Sequence, residues 1–429
     1  MHYKPIKKAN MKFQYLVFLA FLVMGISTSA QNDRDFKNFR LPDQRGINDF
    51  EAPKDTTDNF DGVDVRIGGA STIQFQAVDH ENSGDVELIE IGDNFNLATA
   101  NLDLDVHLYD GVKMHLRTYL SSRHHPEPYV KGGYFQIDKL DFIRQGFMSD
   151  LMEKVTIKIG HMENNYGDAH FRRTDNARAI YNPFVGNLIM DAFTTEVGGE
   201  VYYRSNGFIG MVGLTNGKLN QSVTNPGTTK ASFVGKVGYD KQVDEDFRFR
   251  LTGSVYTTGE SARTYLYAGD RAGSRYYYVM EAPDASASGN FRSGRWNPGF
   301  NNELTAFMVN PFVKLGGLEF FGVIESASGK SNGETDTRNF TQLSGELIYR
   351  FGNEENFYLG GRYNTVGGEI ATGEDVDINR VQLSGGWFMT KNILAKIEYV
   401  SQKYDGFPTG DILDEGKFNG LLLEAAISF

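Results

Sequence analysis

The sequence contains no cysteine and only 2 tryptophans among 429 residues. The absence of cysteine excludes a disulfide framework, a Cys-ligated metal, a thiol nucleophile and a lipidated N-terminal cysteine. Basic residues are also in deficit, because 43 Lys and Arg face 55 Asp and Glu and give a net charge of −12. A chain this acidic is a poor match for a phosphate backbone, so we expect no nucleic-acid partner.

Long apolar runs are confined to the N-terminus. Residues 1–12 carry four lysines, the run from Phe13 to Ile26 is almost wholly apolar, and small residues follow up to Ala30. This order predicts a cleaved secretory signal peptide over residues 1–30. The run is too short for a membrane-spanning helix, which takes about 20 residues. We therefore expect an exported protein.

The rest of the chain lacks the 3.6-residue period of an amphipathic helix. From Val63 onward, apolar and polar residues instead alternate with a period of 2, most clearly between Leu421 and Phe429, as in β-strands with two unlike faces. The sixteen predicted strands are 63–78, 95–108, 112–121, 133–142, 153–161, 194–204, 207–215, 231–240, 246–258, 303–314, 318–327, 340–350, 355–365, 379–389, 393–403 and 418–429. The pattern predicts an all-β, transmembrane up-and-down antiparallel β-barrel over residues 63–429.

Short and long connections alternate along the predicted barrel. Hairpin chemistry occurs at Asp110-Gly111, Ser205-Asn206-Gly207, Gly316-Gly317 and Lys391-Asn392, where tight turns need a positive φ. This predicts short periplasmic turns at one end and long external loops at the other. A soluble secreted β-sandwich is the alternative, because its strands also have one apolar face. The long strands, the Tyr and Phe residues near strand ends and the terminal Phe favour the membrane.

The last strand, from Leu423 to Phe429, alternates apolar residues and ends in Phe. Together with the signal peptide, the strand count and the alternation of turns and loops, it resembles a Gram-negative outer-membrane porin of the general or phosphate-selective type. The resemblance implies an outer-membrane location in contact with lipid, recognition by the barrel-assembly machinery and a homotrimer. It assigns no subfamily and no solute, since fold does not fix function.

The polar strand faces of such a barrel line a water-filled lumen. The basic residues predicted to point inward are Arg66, Lys113, Arg117, Lys158, Arg204, Lys236, Arg248, Arg250, Arg350, Arg362, Arg380 and Lys396. The predicted inward acids are Asp64, Asp103, Asp105, Glu196, Glu200, Glu346 and Glu398. The basic excess predicts a preference for small anionic solutes such as phosphate, because cationic rings select anions. Charges of both signs that merely solvate the lumen fit the pattern equally well.

One long loop, near 162–193, follows the fifth predicted strand. In porins the loop at this position typically folds inward and narrows the channel, so the resemblance implies the same here. The charged residues predicted to form the pore constriction are Arg172, Arg173, Arg178, Asp168 and Asp175. Guanidinium groups suit carboxylate and phosphate oxygens, although pairing within the loop explains these residues as well.

Two further regions are rich in charge. The 259–302 loop combines Arg and Tyr residues that suit sugar or acid capture outside the barrel, and equally suit packing between loops. Residues 31–62 are polar and acidic, which predicts an extended periplasmic tail. That segment is far too short for a plug domain, so the pattern excludes a transporter with a folded plug.

The function predicted from these features is passive diffusion of small hydrophilic solutes, with no cofactor, metal or enzymatic activity. Two alternatives are a receptor or adhesin that acts through the external loops, and a hydrolase at the barrel rim. The rim candidates are Asp79-His80, His124-His125, His161, His170 and Ser293. No nucleophile, base and orienting group can be assembled from their spacing, so we predict no enzyme.

Overall fold

The computed structural model describes residues 35–57, 60–121, 129–175, 178–217, 230–261, 263–269, 273 and 275–429. The predicted signal peptide lies outside these residues. The chain divides into two units, Met1–Lys37 and Asn38–Phe429. In the first unit, residues 35–37 form neither helix nor strand. Among the described residues, no helix is both long enough and apolar enough to span a membrane.

The second unit is built from sixteen antiparallel strands. They are β1 (Asp64–Glu81), β2 (Asn94–Tyr109), β3 (Val112–Ser121), β4 (Tyr129–Ile137), β5 (Val155–Glu163), β6 (Thr195–Ser205), β7 (Phe208–Thr215), β8 (Ser232–Gln242), β9 (Phe247–Thr258), β10 (Glu303–Leu315), β11 (Leu318–Lys330), β12 (Arg338–Phe351), β13 (Phe357–Glu369), β14 (Asp375–Thr390), β15 (Ile393–Asp405) and β16 (Lys417–Ser428). Each strand pairs with its sequence neighbour, and β1 pairs with β16 from Ala70↔Ser428 to Glu81↔Lys417, so the sheet closes.

The two faces of the barrel wall follow the sequence alternation. On β16, Leu421 and Leu423 are 49% and 47% exposed on the outer face, whereas Leu422 between them is fully buried. An apolar outer face with a polar inner face is the arrangement of a barrel in lipid. The predicted fold class, an all-β transmembrane barrel, is confirmed.

The predicted hairpin turns join neighbouring strands at one end of the barrel. The β2–β3 turn contains Gly111 at φ 70°, and the β6–β7 turn contains Asn206 and Gly207 at φ 51° and 87°. A side chain with a branched Cβ would be strained at these angles. We call this end the short-turn end, and the opposite end the long-loop end.

The fourth strand differs from its prediction. The expected span was 133–142, but β4 is Tyr129–Ile137 and residues 138–154 form a connection at the short-turn end. This connection contains the one-turn helix α1 (Ser149–Met152). The alternation changes phase after Ile137, because apolar residues occupy positions 135 and 137 before the polar pair Asp138-Lys139 and positions 140 and 142 after it. A strand that continued through this change would turn its apolar residues to the opposite face.

The apolar core lies inside the barrel. Side chains of the β5–β6 and β9–β10 loops, such as Ile189 and Tyr276, pack against inward residues of the wall, such as Phe312 and Phe340. Three-residue 3₁₀ turns at Gln44–Gly46 and Ala169–Phe171 belong to chain segments that also enter the lumen. The loops and the N-terminal segment therefore cover the inner face of the sheet, as a second sheet does in a β-sandwich.

Candidate functional site

The β5–β6 loop, residues 164–194, lies within the lumen and is held there through its backbone. The amide of Ile189 donates to the Asn364 side chain at 2.7 Å, and the amide of Val185 donates to Glu398 at 2.7 Å. Lys396 donates to the carbonyl of Phe184 at 3.0 Å. Buried backbone groups need such partners, because unpaired ones are costly. The loop is therefore fastened to the wall along β13–β15.

Two of the arginines predicted to form the constriction are fully engaged in ion pairs. Arg172 lies 3.4 Å from Glu346 and 3.6 Å from Glu319. Arg173 binds Asp191 at 2.7 Å and Asp175 at 2.8 Å. Both arginine side chains are less than 5% exposed. These contacts hold the loop in place, and a role of Arg172 and Arg173 in a pore constriction stays a prediction.

Asp168, also predicted for the constriction, anchors the loop to β8 and β9. Its carboxylate accepts two hydrogen bonds of 2.8 Å from Arg250 and one of 2.7 Å from Thr252, and it lies 3.0 Å from the Lys236 ammonium. Burial opposes the charge, but Arg250 and Lys236 outweigh it and hold the pKa of Asp168 below its ordinary value. Asp168 is thus a buried structural carboxylate.

The predicted pore-lining arginines of β12–β14 are engaged in the same way. Arg350 binds Glu319 at 2.5 Å, and Arg362 binds Glu346 at 2.7 Å. Arg380 donates to the Asn187 carbonyl of the loop at 2.6 Å. Buried guanidinium forks with several acceptors fix the geometry of the groups around them, so this wall is packed.

The sequence reasoning missed two inward acids that line the cavities, Glu163 on β5 and Asp240 on β8, and three that are buried in the wall: Glu319 and Glu325 on β11 and Glu424 on β16. Each of the three buried acids is less than 4% exposed, and Glu424 pairs with Lys396 at 2.6 Å. The wall therefore carries more acid than predicted, and the predicted basic excess is smaller. Strict alternation from Leu422 would have identified Glu424 as inward, whereas the apolar runs in β11 obscured Glu319 and Glu325.

The β9–β10 loop, expected outside the barrel, also enters the lumen. The hydroxyl of Tyr276 donates to Glu398 at 2.7 Å, and that of Tyr267 donates to Glu325 at 2.6 Å. The Arg275 guanidinium lies 3.1 Å from Glu424. Of the two sequence interpretations of these Arg and Tyr residues, packing between elements is the one that these contacts support.

An open cavity of about 150 Å³ remains against the wall formed by β1–β6. It is lined by three ion pairs that join basic and acidic residues. Arg66 pairs with Asp105, Arg117 pairs with Asp103 at 2.6 Å, and Arg178 pairs with Glu163 at 2.5 Å. The side chains of these arginines are between 13% and 20% exposed. Arg178 is thus the one predicted constriction arginine that lines the cavity.

Two further cations line this cavity and have no carboxylate within 4 Å among the described residues. The Lys158 ammonium lies 5.3 Å and 5.1 Å from the ring centroids of Tyr134 and Tyr202. Arg40 stacks on Tyr181 at 3.6 Å and donates to two backbone carbonyls. Burial lowers the pKa of Arg40 to about 10, so the guanidinium stays charged at neutral pH. Such cations can attract an anion.

Three of the predicted inward cations, Lys113, Arg204 and Arg248, lie nearer the short-turn end, and Arg204 donates to the Ala52 carbonyl. Lys113 is 1% exposed, with its ammonium 5.9 Å from the Phe39 ring. Arg248 binds Asp240 at 2.7 Å and lines a second cavity of about 400 Å³. The second cavity includes the β6–β7 turn among its lining, which places it at the short-turn end.

Residues 38–57, which we call the lumenal segment, differ from the predicted extended tail. Asn48 donates to Glu319 at 2.7 Å, and Lys54 donates to Asp138 at 3.1 Å. The backbone amide of Gln44 donates a hydrogen bond to the Lys391 carbonyl at 2.8 Å. The segment enters the barrel because its charged and amide side chains find partners on the inner wall, which composition alone does not reveal.

The predicted rim candidates are used in local contacts. His80 bonds the Ile89 carbonyl at 2.8 Å and the Met280 amide at 2.9 Å, and Ser293 donates to Glu281 at 2.9 Å. Burial lowers the pKa of His170 to about 4. His124-His125 lie outside the described residues. Within the described part of the chain, no cluster of His, Asp and Glu has the geometry of a metal site.

No family model and no curated protein matches the sequence. Solved structures resemble its fold. A loop L8 deletion mutant of OmpT, an outer membrane protein of Vibrio cholerae, has a TM-score of 0.52 at 12% identity over 86% of this chain and 100% of its own. The outer membrane channel DcaP of Acinetobacter baumannii has a TM-score of 0.53 at 11% identity, over 86% of this chain and 98% of its own. An anion-selective porin from Comamonas acidovorans has a TM-score of 0.51 at 10% identity, over 86% of this chain and 100% of its own. The chain therefore has the fold of outer-membrane porins.

Proposed function

We propose that this protein is a porin of the cell outer membrane, which lets small hydrophilic solutes diffuse down their gradients and prefers anions. The observation that carries the proposal is the charged cavity inside a closed barrel whose outer face is apolar. An apolar belt needs lipid around it, and a polar lumen needs water within it. Enzymatic activity forms no part of the proposal.

The preference for anions rests on the balance of charge in the open cavity. Arg66, Arg117 and Arg178 are neutralised by their acidic partners. Lys158 and Arg40 form no ion pair within 4 Å with a described residue, although Glu200 lies opposite Lys158 on β6 and also lines the cavity. The whole lining contains six Lys and Arg residues and five Asp and Glu residues, which leaves a basic excess. A solute that carries a carboxylate or phosphate group can satisfy both Lys158 and Arg40. Low-dielectric walls strengthen that attraction relative to open water.

The cellular setting follows from the same proposal. The protein is exported through a cleaved signal peptide and is assembled by the barrel-assembly machinery, for which the terminal Phe429 serves as part of the signal. It functions as a homotrimer whose subunits meet along part of the apolar outer face. The β5–β6 loop narrows the passage by occupying the lumen beside β9–β15.

The test is a single-channel recording of the refolded protein in a planar bilayer with a KCl gradient. We expect small open steps and a reversal potential on the anion side. The Lys158→Gln variant should move the reversal potential towards zero, because it removes a lumenal cation that forms no ion pair within 4 Å with a described residue. Lys314→Gln is the matched control, since its ammonium pairs with Glu355 at 2.8 Å near the short-turn end.

The outcomes separate the two levels of the proposal. A complete lack of conductance by the wild-type protein contradicts the porin function. An open channel that prefers cations, or a reversal potential that Lys158→Gln and Lys314→Gln shift equally, retains the porin and contradicts the anion site.

A further inference from the structure

The lumenal segment crosses the interior of the barrel and contacts several different strands. Near its start, Asn38 donates to the Asp138 carboxylate at 3.3 Å. In its middle, Asn48 donates to Glu319 on β11 at 2.7 Å. Near its end, Lys54 donates to the Val155 carbonyl on β5 at 2.7 Å. The segment is therefore attached at both ends and at its centre.

Phe50 is the most deeply packed aromatic residue of the segment, at 2% exposure. Its ring centroid lies 5.3 Å from Phe312 on β10 and 5.9 Å from Phe171 on the β5–β6 loop, both edge-on. The Arg250 guanidinium lies 4.3 Å from the Phe50 ring. The ring thus fills the space between the wall and the inserted loop.

Glu51 fastens this point of the segment through charge. Its carboxylate lies 2.8 Å from Arg250 and 3.3 Å from Lys236, and it accepts a hydrogen bond of 3.2 Å from Asn165. Both cations also bind Asp168. Loss of the Glu51 charge leaves Lys236 paired with Asp168 and leaves Arg250 paired with Asp168 and Asp240, so each cation keeps an acidic partner although the cluster loses one negative charge.

Phe50 and Glu51 line both cavities described above. The cavity against β1–β6 is on one side of them, and the cavity at the short-turn end is on the other. The material that separates the two cavities at this point is the lumenal segment itself. By contrast, Arg172 and Arg173 line neither of these two cavities.

We infer that residues 50–52 of the lumenal segment form the selectivity barrier of the channel, and that the ion pairs of Glu51 with Arg250 and Lys236 hold this barrier closed. The inference rests on the proposed function. A solute in the β1–β6 cavity reaches the short-turn end when this stretch moves aside. While the stretch is in place it separates the two cavities, and Arg172 of the β5–β6 loop supports the segment by donating a hydrogen bond to Asn48.

The first experiment compares Glu51→Gln with Asp43→Asn in single-channel recordings. Glu51→Gln removes the charge that fastens the segment to β8 and β9. Asp43 is the matched control, because it is a similarly buried acid of the same segment whose carboxylate binds Arg45 within the segment at 2.7 Å. We expect Glu51→Gln to raise the mean current about tenfold and Asp43→Asn to leave it near the wild-type value.

The second experiment uses the absence of native cysteine. Ala52→Cys places a single thiol beside the barrier, and Thr57→Cys places one at an exposed position of the same segment. A charged methanethiosulfonate reagent should label the Ala52→Cys variant slowly. Adding Glu51→Gln should make this labelling about tenfold faster, whereas the labelling rate of Thr57→Cys should not change. Modification at position 52 should also reduce the current.

Equal currents for wild type and Glu51→Gln, together with equal labelling rates at position 52 in both backgrounds, overturn the barrier. If every variant lacks conductance, the porin proposal fails, and the labelling rates alone decide whether Glu51 holds the segment closed. Faster labelling then retains the fastening role of Glu51, and unchanged labelling overturns it.

Discussion

The two sides of the lumen carry the same kinds of charged residue and use them differently. On β8–β15, Arg250, Arg350, Arg362 and Lys396 bind acids and loop carbonyls and are nearly inaccessible to water. On β1–β6, arginines that pair equally well remain partly exposed to a cavity. The two sides differ because the inserted β5–β6 loop covers β8–β15, which we call the packed side, and leaves β1–β6, which we call the open side, facing a cavity. Inward direction therefore does not make a residue part of the passage.

The largest expected effect on stability is at Asp168, on the packed side. Asp168→Asn removes the charge that Arg250 and Lys236 both bind, and it leaves two buried cations with fewer partners. We expect the free energy of unfolding to fall by about 3–5 kcal/mol, the cost of breaking a buried ion pair. Urea unfolding of the barrel refolded in lipid vesicles measures this loss. A loss below 1 kcal/mol, roughly the value of an exposed pair, contradicts the packed side.

The matched change on the open side is Asp103→Asn. Asp103 binds Arg117 bidentately at 2.6 Å and 2.7 Å, but the Arg117 side chain is 13% exposed to the cavity. Water can replace part of the lost interaction, so we expect a loss of about 1–2 kcal/mol in the same urea assay. A loss equal to that of Asp168→Asn removes the distinction between the two sides.

A smaller effect is expected at the contact between the β9–β10 loop and the packed wall. Tyr276→Phe removes the hydroxyl that donates to Glu398 at 2.7 Å, while Glu398 retains hydrogen bonds from the Val185 amide and from Gln382. The hydroxyl also accepts a hydrogen bond of 2.9 Å from Gln382, but Gln382 keeps its bond to Glu398. We therefore expect a loss of about 1 kcal/mol, the net value of the bond to Glu398. Tyr265→Phe, in the same loop, provides a control. No difference between the two variants in the unfolding assay contradicts the anchoring role.

The smallest expected effect concerns pH. Burial opposes ionisation of Glu51, but Arg250 and Lys236 outweigh it and hold the pKa of Glu51 well below its usual range. A carboxyl with a depressed pKa contributes fully above its unfolded value of about 4.3 and loses its contribution only as pH falls through the folded value. Asp168, which shares both cations, also has a lowered pKa. The mean current should therefore be constant between about pH 7 and pH 5. A current that rises within this interval contradicts the lowered pKa of Glu51.

Much of the barrel was predictable because its signal is local. A period of 2 needs only neighbouring residues, and turns such as Asn206-Gly207 need only their own backbone preferences. The prediction was wrong at residues 138–142 and incomplete in β11, where alternation is weak. At the candidate site, the sequence indicated the charged residues but not their partners, since Arg172 and Glu346 are 174 positions apart.

The sequence by itself determined the class of the molecule. A membrane barrel is indicated by the strand alternation and the turn residues, and the lack of cysteine excludes disulfide-bonded and Cys-ligated alternatives. Each of these signals depends only on local chemistry or composition. Only the tertiary structure decided which charges stay open to solutes. That choice depends on where the β5–β6 loop and the lumenal segment lie, and their positions are fixed by ion pairs and hydrogen bonds between residues far apart in the chain, which no local pattern encodes.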